Sequence, residues 1–585
     1  MIAKITPLIR LPSKTDVFDY HIPDELKNKI ELGQLVTIPW RTQKVAGVVL
    51  ALETNSVTHE TTPRPLLSKG GEVSRKKFRA RPITNILEDD PVLTKNQLKL
   101  INQFADYYFV TRGAVARLIT PDKPKRFIKA KSQPLTSSNP HKTFSISKEQ
   151  LPKLQSAAKQ ISDKNDQTPS HIEIQDVSSF VWLIIHLKKQ NPDKQILVLA
   201  PLIDIIKSIE PIVQKMCSDD FAIINSELSK GKYWSEYQKI LSGKAKIILS
   251  TRQGVFLPIK DKSIIILFES TSQDFKQYEQ HPKYDARIVG SWIANITNSD
   301  LIFASASVPL DKKFTALASA STNNITTKLI DMKQEMNKKD FRIIADSTLN
   351  SIKETLENNQ KILIISLRQE SEDGVSVNKI HEILTNQIKD CRISTKYDAN
   401  ENFNILVTTA YSLEALKLSS KKKEFGLAVF ASIEPLLAIP DFRSGQRTFN
   451  KLNYWKMMCK ELNIPQILLQ SYSPENLAIR AFTYGEVEVF TKAELKHRQE
   501  LSYPPFANLI KLSYKGDVSY ELDRAIKSLK ENLKKNTQVL GPFKDKKENQ
   551  SLLIKTQDSP SPQLLTTLYS LPIGWMIDRD PENVL

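Results

Sequence analysis

The stretch SIIILFESTSQDFKQYEQHPKYDAR, Ser263 to Arg287, decides how the chain is read. It opens with four consecutive large apolar residues, Ile264 to Leu267, a run too short for a helix and without the alternation of a half-exposed strand. Such a run reads as a strand buried on both faces, the kind found in parallel sheets covered by helices. In nucleotide-binding α/β proteins a strand of this sort usually ends in acidic residues that hold Mg²⁺ and orient water. Here it runs into Phe268, Glu269, Ser270 and Thr271.

Outward from this strand the pattern repeats. QILVLAP, AKIILST, SIIILF and DLIFASAS, with helical segments such as FVWLIIHLKKQ between them, predict a parallel α/β unit over residues 146–330. KILIISL, NILVTTA, FGLAVFAS and PQILLQSYS, with the helix NKIHEILTNQI, predict a second over 331–492. Residues 1–121 alternate short strand-like runs (QLVTIPW, VAGVVLAL) with turn signals and end in the helical TKNQLKLINQFADYYF. Residues 122–145, rich in Pro, Ser and Lys without periodicity, read as a linker. The final unit, 493–585, has strands NLIKLSY and SLLIKTQ around the helix YELDRAIKSLKENLKK, a small α+β domain.

Composition narrows the function. A net charge of +18 favours a polyanionic partner, nucleic acid before membrane, because no basic amphipathic helix or lipidation motif is visible. The three cysteines, Cys217, Cys391 and Cys459, form no CxxC pair, so neither a zinc ribbon nor a disulfide framework is expected. Without an apolar leader or an 18-residue apolar run, the expected location is the cytoplasm. Only 16 glycines occur, and phosphate-cradling loops need glycine to crowd backbone N–H groups around an oxyanion.

Several segments resemble primosomal protein N′, the PriA family of superfamily 2 DNA helicases. LPSKTDVFDYHIPDELKNKIELGQLVTIPWRTQKVAGVVLAL (11–52) and ITNILEDDPVLTKNQLKLINQFADYYFVTRGAVARLITP (83–121) resemble its N-terminal domain. KIILSTRQGVFLPI carries the family's Thr-Arg at Thr251 and Arg252, and Lys276, Tyr284, Ala286 and Arg287 stand in matching places after it. LAIPDFRSGQRTF, ELKHRQELSYPPFANLIKL and the terminal MIDRDPENVL are similar to further signatures, all in family order. The resemblance implies a multidomain α/β fold: two RecA-like parallel-sheet lobes flanked by a β-rich N-terminal DNA-binding domain and a small α+β C-terminal domain.

The family uses ATP, Mg²⁺ and zinc, and the positions that should serve them differ here. The Gly-Lys-Thr loop is replaced by HIEIQDVSSFVWLIIHL, with no glycine or lysine from Ile174 to Val181; only Ser178 and Ser179 could face Mg²⁺. Phe268 stands where the metal-binding aspartate of the Asp-Glu-Glu-His motif belongs, and Glu269 where the water-orienting glutamate belongs. Without its metal partner, Glu269 is expected to be a solvated strand-end carboxylate. No arginine occurs between Arg447 and Arg480, where the family places two; lysines there lack the planar fork. The zinc-binding insertion and the winged-helix module are expected to be absent, so ATP, Mg²⁺ and zinc are all read as lost.

What remains concerns DNA. The resemblance implies a pocket for a 3′ end at Phe18, Asp19 and Tyr20, with Gly33 and Arg81 completing it. A carboxylate accepts a hydrogen bond from a sugar hydroxyl, an aromatic ring stacks on the last base, and an arginine meets phosphate. The alternative for Phe18 and Tyr20 is packing, as alternate residues of a strand in a small barrel. Arg75, Lys76 and Lys77, in the basic run before Arg81, are further DNA-binding candidates or a solvated loop, and Thr251 and Arg252 are candidates for single-stranded DNA. Arg443 and Arg447 either brace the second lobe or touch DNA.

The expected function is recognition of forked, 3′-ended or single-stranded DNA in replication restart, with replication-restart or helicase-loading proteins as partners and without ATP-driven unwinding. An active 3′–5′ helicase and a protein-interaction scaffold without DNA binding are the alternatives.

Overall fold

The computed structural model describes residues 1–9, 11, 16–53, 80–121, 146–164, 166–217, 220–310, 315–317, 325–335, 342–371, 374–398, 402–410, 425–514, 523–524, 526–527, 537–545, 549–557, 560–571 and 574–584. Arg75, Lys76, Lys77 and the expected linker 122–145 lie outside them, as does most of YELDRAIKSLKENLKK. Among the described residues no helix is long and apolar enough to cross a membrane.

The N-terminal sheet contains β1 (Ile2–Pro7), β2 (Phe18–His21), β3 (Leu35–Trp40), β4 (Gln43–Glu53), β5 (Arg81–Pro82) and β6 (Asn85–Ile86), in the order β5-β2-β1-β4-β3-β6. The helix Lys95–Tyr108 follows, opened by a capping box in which Thr94 and Gln97 satisfy each other's backbone N–H groups. Its inner face does not stop at this sheet. Phe104 lies 5.8 Å from Phe256 and 5.7 Å from Tyr284, and the Asp285 N–H donates to Tyr108 Oη over 3.0 Å. The helix therefore shares a core with the first parallel sheet.

That sheet is built from β7 (Ser170–Glu173), β8 (Ile196–Leu199), β9 (Phe221–Ile224), β10 (Ile247–Ser250), β11 (Ile264–Phe268), β12 (Asp300–Ser305) and β13 (Thr315–Ala316). Its order, β13-β7-β12-β11-β8-β10-β9, puts the apolar run of the opening stretch at the centre, parallel to both neighbours, with all five residues buried. Helices cover both faces, so β11 has no solvent side and needs no alternation.

The second parallel sheet contains β14 (Thr326–Asp331), β15 (Lys361–Ser366), β16 (Ile393–Ser394), β17 (Ile405–Thr409), β18 (Phe425–Phe430) and β19 (Gln466–Ser471), ordered β14-β19-β18-β15-β17-β16. β14 pairs with β19 over its whole length, so the expected division at residue 330 falls inside a strand of the second sheet. The six residues of β14 gave no such sign, because their pairing partners lie 140 residues downstream in β19. The helix Ser444–Glu461 joins β18 to β19, burying Phe449, Leu452, Trp455 and Met458 against its own sheet.

Four antiparallel strands close the chain: β20 (Asn508–Tyr514), β21 (Thr537–Lys544), β22 (Gln550–Thr556) and β23 (Trp575–Arg579), ordered β21-β22-β20-β23. The expected division at 492/493 lies within the helix Val487–Glu500, which packs on the helix Leu477–Tyr484.

Candidate functional site

In parallel sheets, ligands gather at the carboxyl ends of the strands. At that edge of the first sheet the connection from β7 to the helix Val177–Gln190 is three residues, Ile174 to Asp176. A loop this short does not wrap a phosphate group, and with no glycine it does not turn its N–H groups inward. Two N–H groups of the helix N-terminus are instead taken by carboxylates. Asp176 is the N-cap, accepting from the Ser179 N–H over 2.6 Å and from Gln150 Nε2 over 2.7 Å. Glu461, the last residue of Ser444–Glu461 in the second lobe, accepts from the Val177 N–H over 2.7 Å. Lys460 Nζ stands 3.5 Å from Asp176 Oδ2 and offsets the paired negative charge. Orphan N–H groups and the helix dipole draw an anion to such a site, and here the protein supplies it.

Phe268, at the end of β11, has no exposed surface and stacks on Phe180 of the Val177 helix, centroids 3.8 Å apart and planes at 11°. Where a metal-binding carboxylate would emerge, two rings seal the sheet to the helix. Glu269 is a correction to the expectation of a solvated carboxylate. Its φ of +52° turns the chain back under the sheet edge, and the residue is 3% exposed. Ser179 is fully buried on the inner face of its helix. These residues do not suit a Mg²⁺-bound triphosphate. The anion would meet Asp176 and Glu461, and the metal would meet a phenyl ring.

The Ser305-Ala306-Ser307 segment ends β12 beside this place. Ser305 Oγ bonds Ser270 Oγ at 2.9 Å and donates to the Ser307 carbonyl over 2.8 Å; His171 Nε2 is 3.2 Å away. Burial lowers the His171 pKa to about 4, so the ring is neutral at neutral pH. Ser307 Oγ reaches Asn450 Oδ1 of the Ser444–Glu461 helix over 2.8 Å. Lys456 of the same helix is held below its ordinary pKa first by burial and then by Lys460, while Glu173 opposes the shift.

Of the five residues expected at a 3′-end pocket, β2 divides three between its faces. Phe18 is half-buried, edge-on to Trp40 at 4.8 Å, and Tyr20 is buried with its hydroxyl donating to the Pro39 carbonyl over 3.3 Å. Both pack in the core of the N-terminal sheet, as alternate residues of one face must. Asp19 points the other way, exposed, opposite Lys4 in register. Arg81 is exposed on the adjoining β5, paired in register with Tyr20, its Nη1 donating to the Arg41 carbonyl over 3.2 Å. Gly33 has φ +83°, and a Cβ there would sit 2.0 Å from the Leu93 carbonyl oxygen, so the backbone alone requires glycine. Arg252 is engaged internally, donating to the Asp274 carbonyl over 3.1 Å and to Gln277 Oε1 over 2.7 Å; Thr251 N-caps the short 3₁₀ turn it precedes, without a side-chain bond.

Sequence reasoning missed Asp176, Lys460 and Glu461. The run Asp-Val-Ser-Ser after a strand is an N-cap signature and could have marked Asp176. Nothing local marks Glu461, whose partner lies 284 residues away.

Comparison with known proteins adds to this. Residues 8–121 match the PriA family's 3′DNA-binding domain (3′BD). The replication restart protein PriA of Thermotoga maritima is 25% identical, the alignment covering 62% of this chain and 60% of that protein. PriA of Chlamydia muridarum is 21% identical over 93% of both chains, and PriA of Synechocystis is 22% identical over 62% of this chain and 54% of that one. The chain thus spans little more than half the length of some of these relatives. Among solved structures, RecG bound to a three-way DNA junction aligns with a TM-score of 0.38 at 11% identity, over 61% of this chain and 47% of that one. The helicase MrfA bound to DNA aligns with a TM-score of 0.35 at 11% identity, over 72% of this chain and 58% of that one.

Proposed function

We propose that this chain, similar to the PriA replication restart proteins, recognises forked or 3′-ended DNA in replication restart without unwinding by its own ATP hydrolysis. The observation that carries the DNA-binding part is the match of residues 8–121 to the 3′DNA-binding domain, together with a net charge of +18. Within that domain Asp19 is exposed on one face of β2, a carboxylate to accept from a terminal 3′ hydroxyl, and Arg81, exposed on the adjoining β5 in register with Tyr20, presents its guanidinium to phosphate from the other face. Phe18 and Tyr20 support Asp19 from the buried face of β2 rather than stacking on a base.

The nucleotide-independent part is supported by the carboxylates on the Val177 helix and by the Phe180–Phe268 stack. ATP, Mg²⁺ and zinc play no part in this reading, and its protein partners are those that reload the replication machinery at a fork.

The test is fluorescence anisotropy on forks ending in a 3′ hydroxyl or a 3′ phosphate, with ATP turnover measured on the same forks. Tighter binding of the hydroxyl end, salt-sensitive and without DNA-stimulated hydrolysis, is the expected result. Indifference to the end group defeats the pocket. Hydrolysis abolished by Glu269→Gln defeats the nucleotide-independent reading.

A further inference from the structure

The Ser444–Glu461 helix makes its contacts with the first lobe along one side. Asn450 reaches Ser307 over 2.8 Å, Lys460 stands 3.5 Å from Asp176, and Glu461 takes the Val177 N–H over 2.7 Å. From Asn450 to Glu461 is three turns, about 16 Å of helix. The opposite side, through Phe449, Leu452, Trp455 and Met458, is buried in the second lobe's own core, so the helix is anchored to one lobe while its tip caps a helix of the other.

We infer that Glu461 is an intramolecular latch: its carboxylate occupies the anion seat at the N-terminus of the Val177 helix and holds the two lobes together. Three observations converge on this. The Val177 N–H is an orphan donor that the helix itself does not satisfy, and the Glu461 carboxylate supplies its partner across the lobe boundary. The second carboxylate at the same terminus, Asp176, is tied within the first lobe by the Ser179 N–H and Gln150, so it does not rotate away to make room. Lys460 lies between these carboxylates' elements and makes their proximity tolerable. A phosphate-bearing ligand entering here would have to expel Glu461 and then face Asp176.

The inference deepens the nucleotide-independent reading of the cleft and adds a mechanical consequence: the lobes stay juxtaposed permanently instead of cycling. A fixed pair of lobes offers DNA or a partner protein one constant surface.

Hydrogen exchange at single amides and small-angle X-ray scattering test it together. In Glu461→Ala the Val177 amide exchanges roughly ten- to a hundredfold faster than in the unaltered protein, the amide of Val181 is unchanged, and the radius of gyration rises. Glu461→Gln keeps an acceptor oxygen and stays close to the unaltered protein. Equal Val177 exchange in Glu461→Ala and the unaltered protein overturns the latch while leaving the nucleotide-independent reading intact. The unaltered full chain, with and without millimolar Mg-ATP, shows no change in either measurement. A nucleotide-dependent change in either overturns the latch and that reading together, and this arm decides the matter should Glu461→Ala fail to fold.

Discussion

Lys276 Nζ lies 2.9 Å from Asp578 Oδ1, joining the family-like stretch of the first lobe to the last strand of the chain, and the lysine has no exposed surface. Its ammonium also donates to the Arg579 carbonyl over 2.7 Å and the Lys283 carbonyl over 3.2 Å, so all three donors are used. The neighbouring signature residues converge on the same terminal segment. Tyr107 Oη donates to Asp580 Oδ2 over 2.7 Å, Arg443 Nη1 to the Pro581 carbonyl over 3.1 Å, and Arg447 bonds Glu582. Arg287 stands 3.8 Å from Glu582. Three other parts of the chain are thus fastened to the C-terminal segment, and Arg443 and Arg447 brace the fold there.

Replacing Lys276 by alanine removes the donor to two carbonyls and leaves Asp578 with only the longer contact to Lys283, 3.6 Å away. Breaking one side of a buried pair costs about 3–5 kcal/mol. The expected outcome is a lowered apparent melting temperature, with proteolysis first appearing in the segment 575–584. Limited digestion followed by mass spectrometry reads it, and an unchanged digestion pattern would show that the segment is held elsewhere.

Asp19→Ala should leave stability unchanged within about 0.5 kcal/mol, because the side chain is exposed. The same change should weaken binding to a 3′-hydroxyl fork about tenfold and remove the preference for hydroxyl over phosphate. Arg81→Ala should weaken both substrates alike and reduce the salt dependence of binding by about one counterion. Anisotropy titrations at several salt concentrations separate the two effects.

His171 gives acid sensitivity a defined window. Burial lowers its folded pKa to about 4, against about 6.5 in the unfolded chain. Between those values the unfolded chain binds more protons, so stability rises with pH there and is lost as pH falls from 6.5 towards 4. The group accounts for roughly 3 kcal/mol over that range. His171→Gln should flatten this part of the stability–pH curve relative to the unaltered protein, measured by urea titration at pH 7, 5.5 and 4.5. Curves that stay parallel would falsify the assignment.

The strands were legible because a buried parallel strand is a local signal: Ile264 to Leu267 announces itself in four letters. The motif order, also carried by local segments, pointed to PriA-like relatives, and the positive charge to a polyanionic partner. What escaped was long-range. β14 follows the first lobe in sequence but pairs with β19, and only the pairing shows to which sheet it belongs. The function of Glu461 depends on an N–H 284 residues away, and a carboxylate at a helix end otherwise looks solvated. Glu269 was misjudged because its burial follows from a positive φ, a conformation that sequence favours for glycine or asparagine rather than glutamate. The alternation in Phe18-Asp19-Tyr20 was legible in the sequence, which assigned both rings to a 3′-end pocket with packing as the alternative; in the structure both rings pack in the core of the sheet.

Phe268→Asp asks whether the opening strand can be returned to metal chemistry by restoring one carboxylate. The ring fills the space against Phe180, and its removal alone costs about 3–5 kcal/mol. An aspartate in its place adds the desolvation of a buried charge, and Lys460 is already engaged with Asp176. Even if the variant folds, the Val177 N–H is still taken by Glu461 and the loop before it is still three residues long. The expected outcome is a destabilised protein with no Mg²⁺-dependent stabilisation by ATP in thermal melts. A variant that melts higher with Mg-ATP than with ATP alone would show that the metal site needed only its carboxylate.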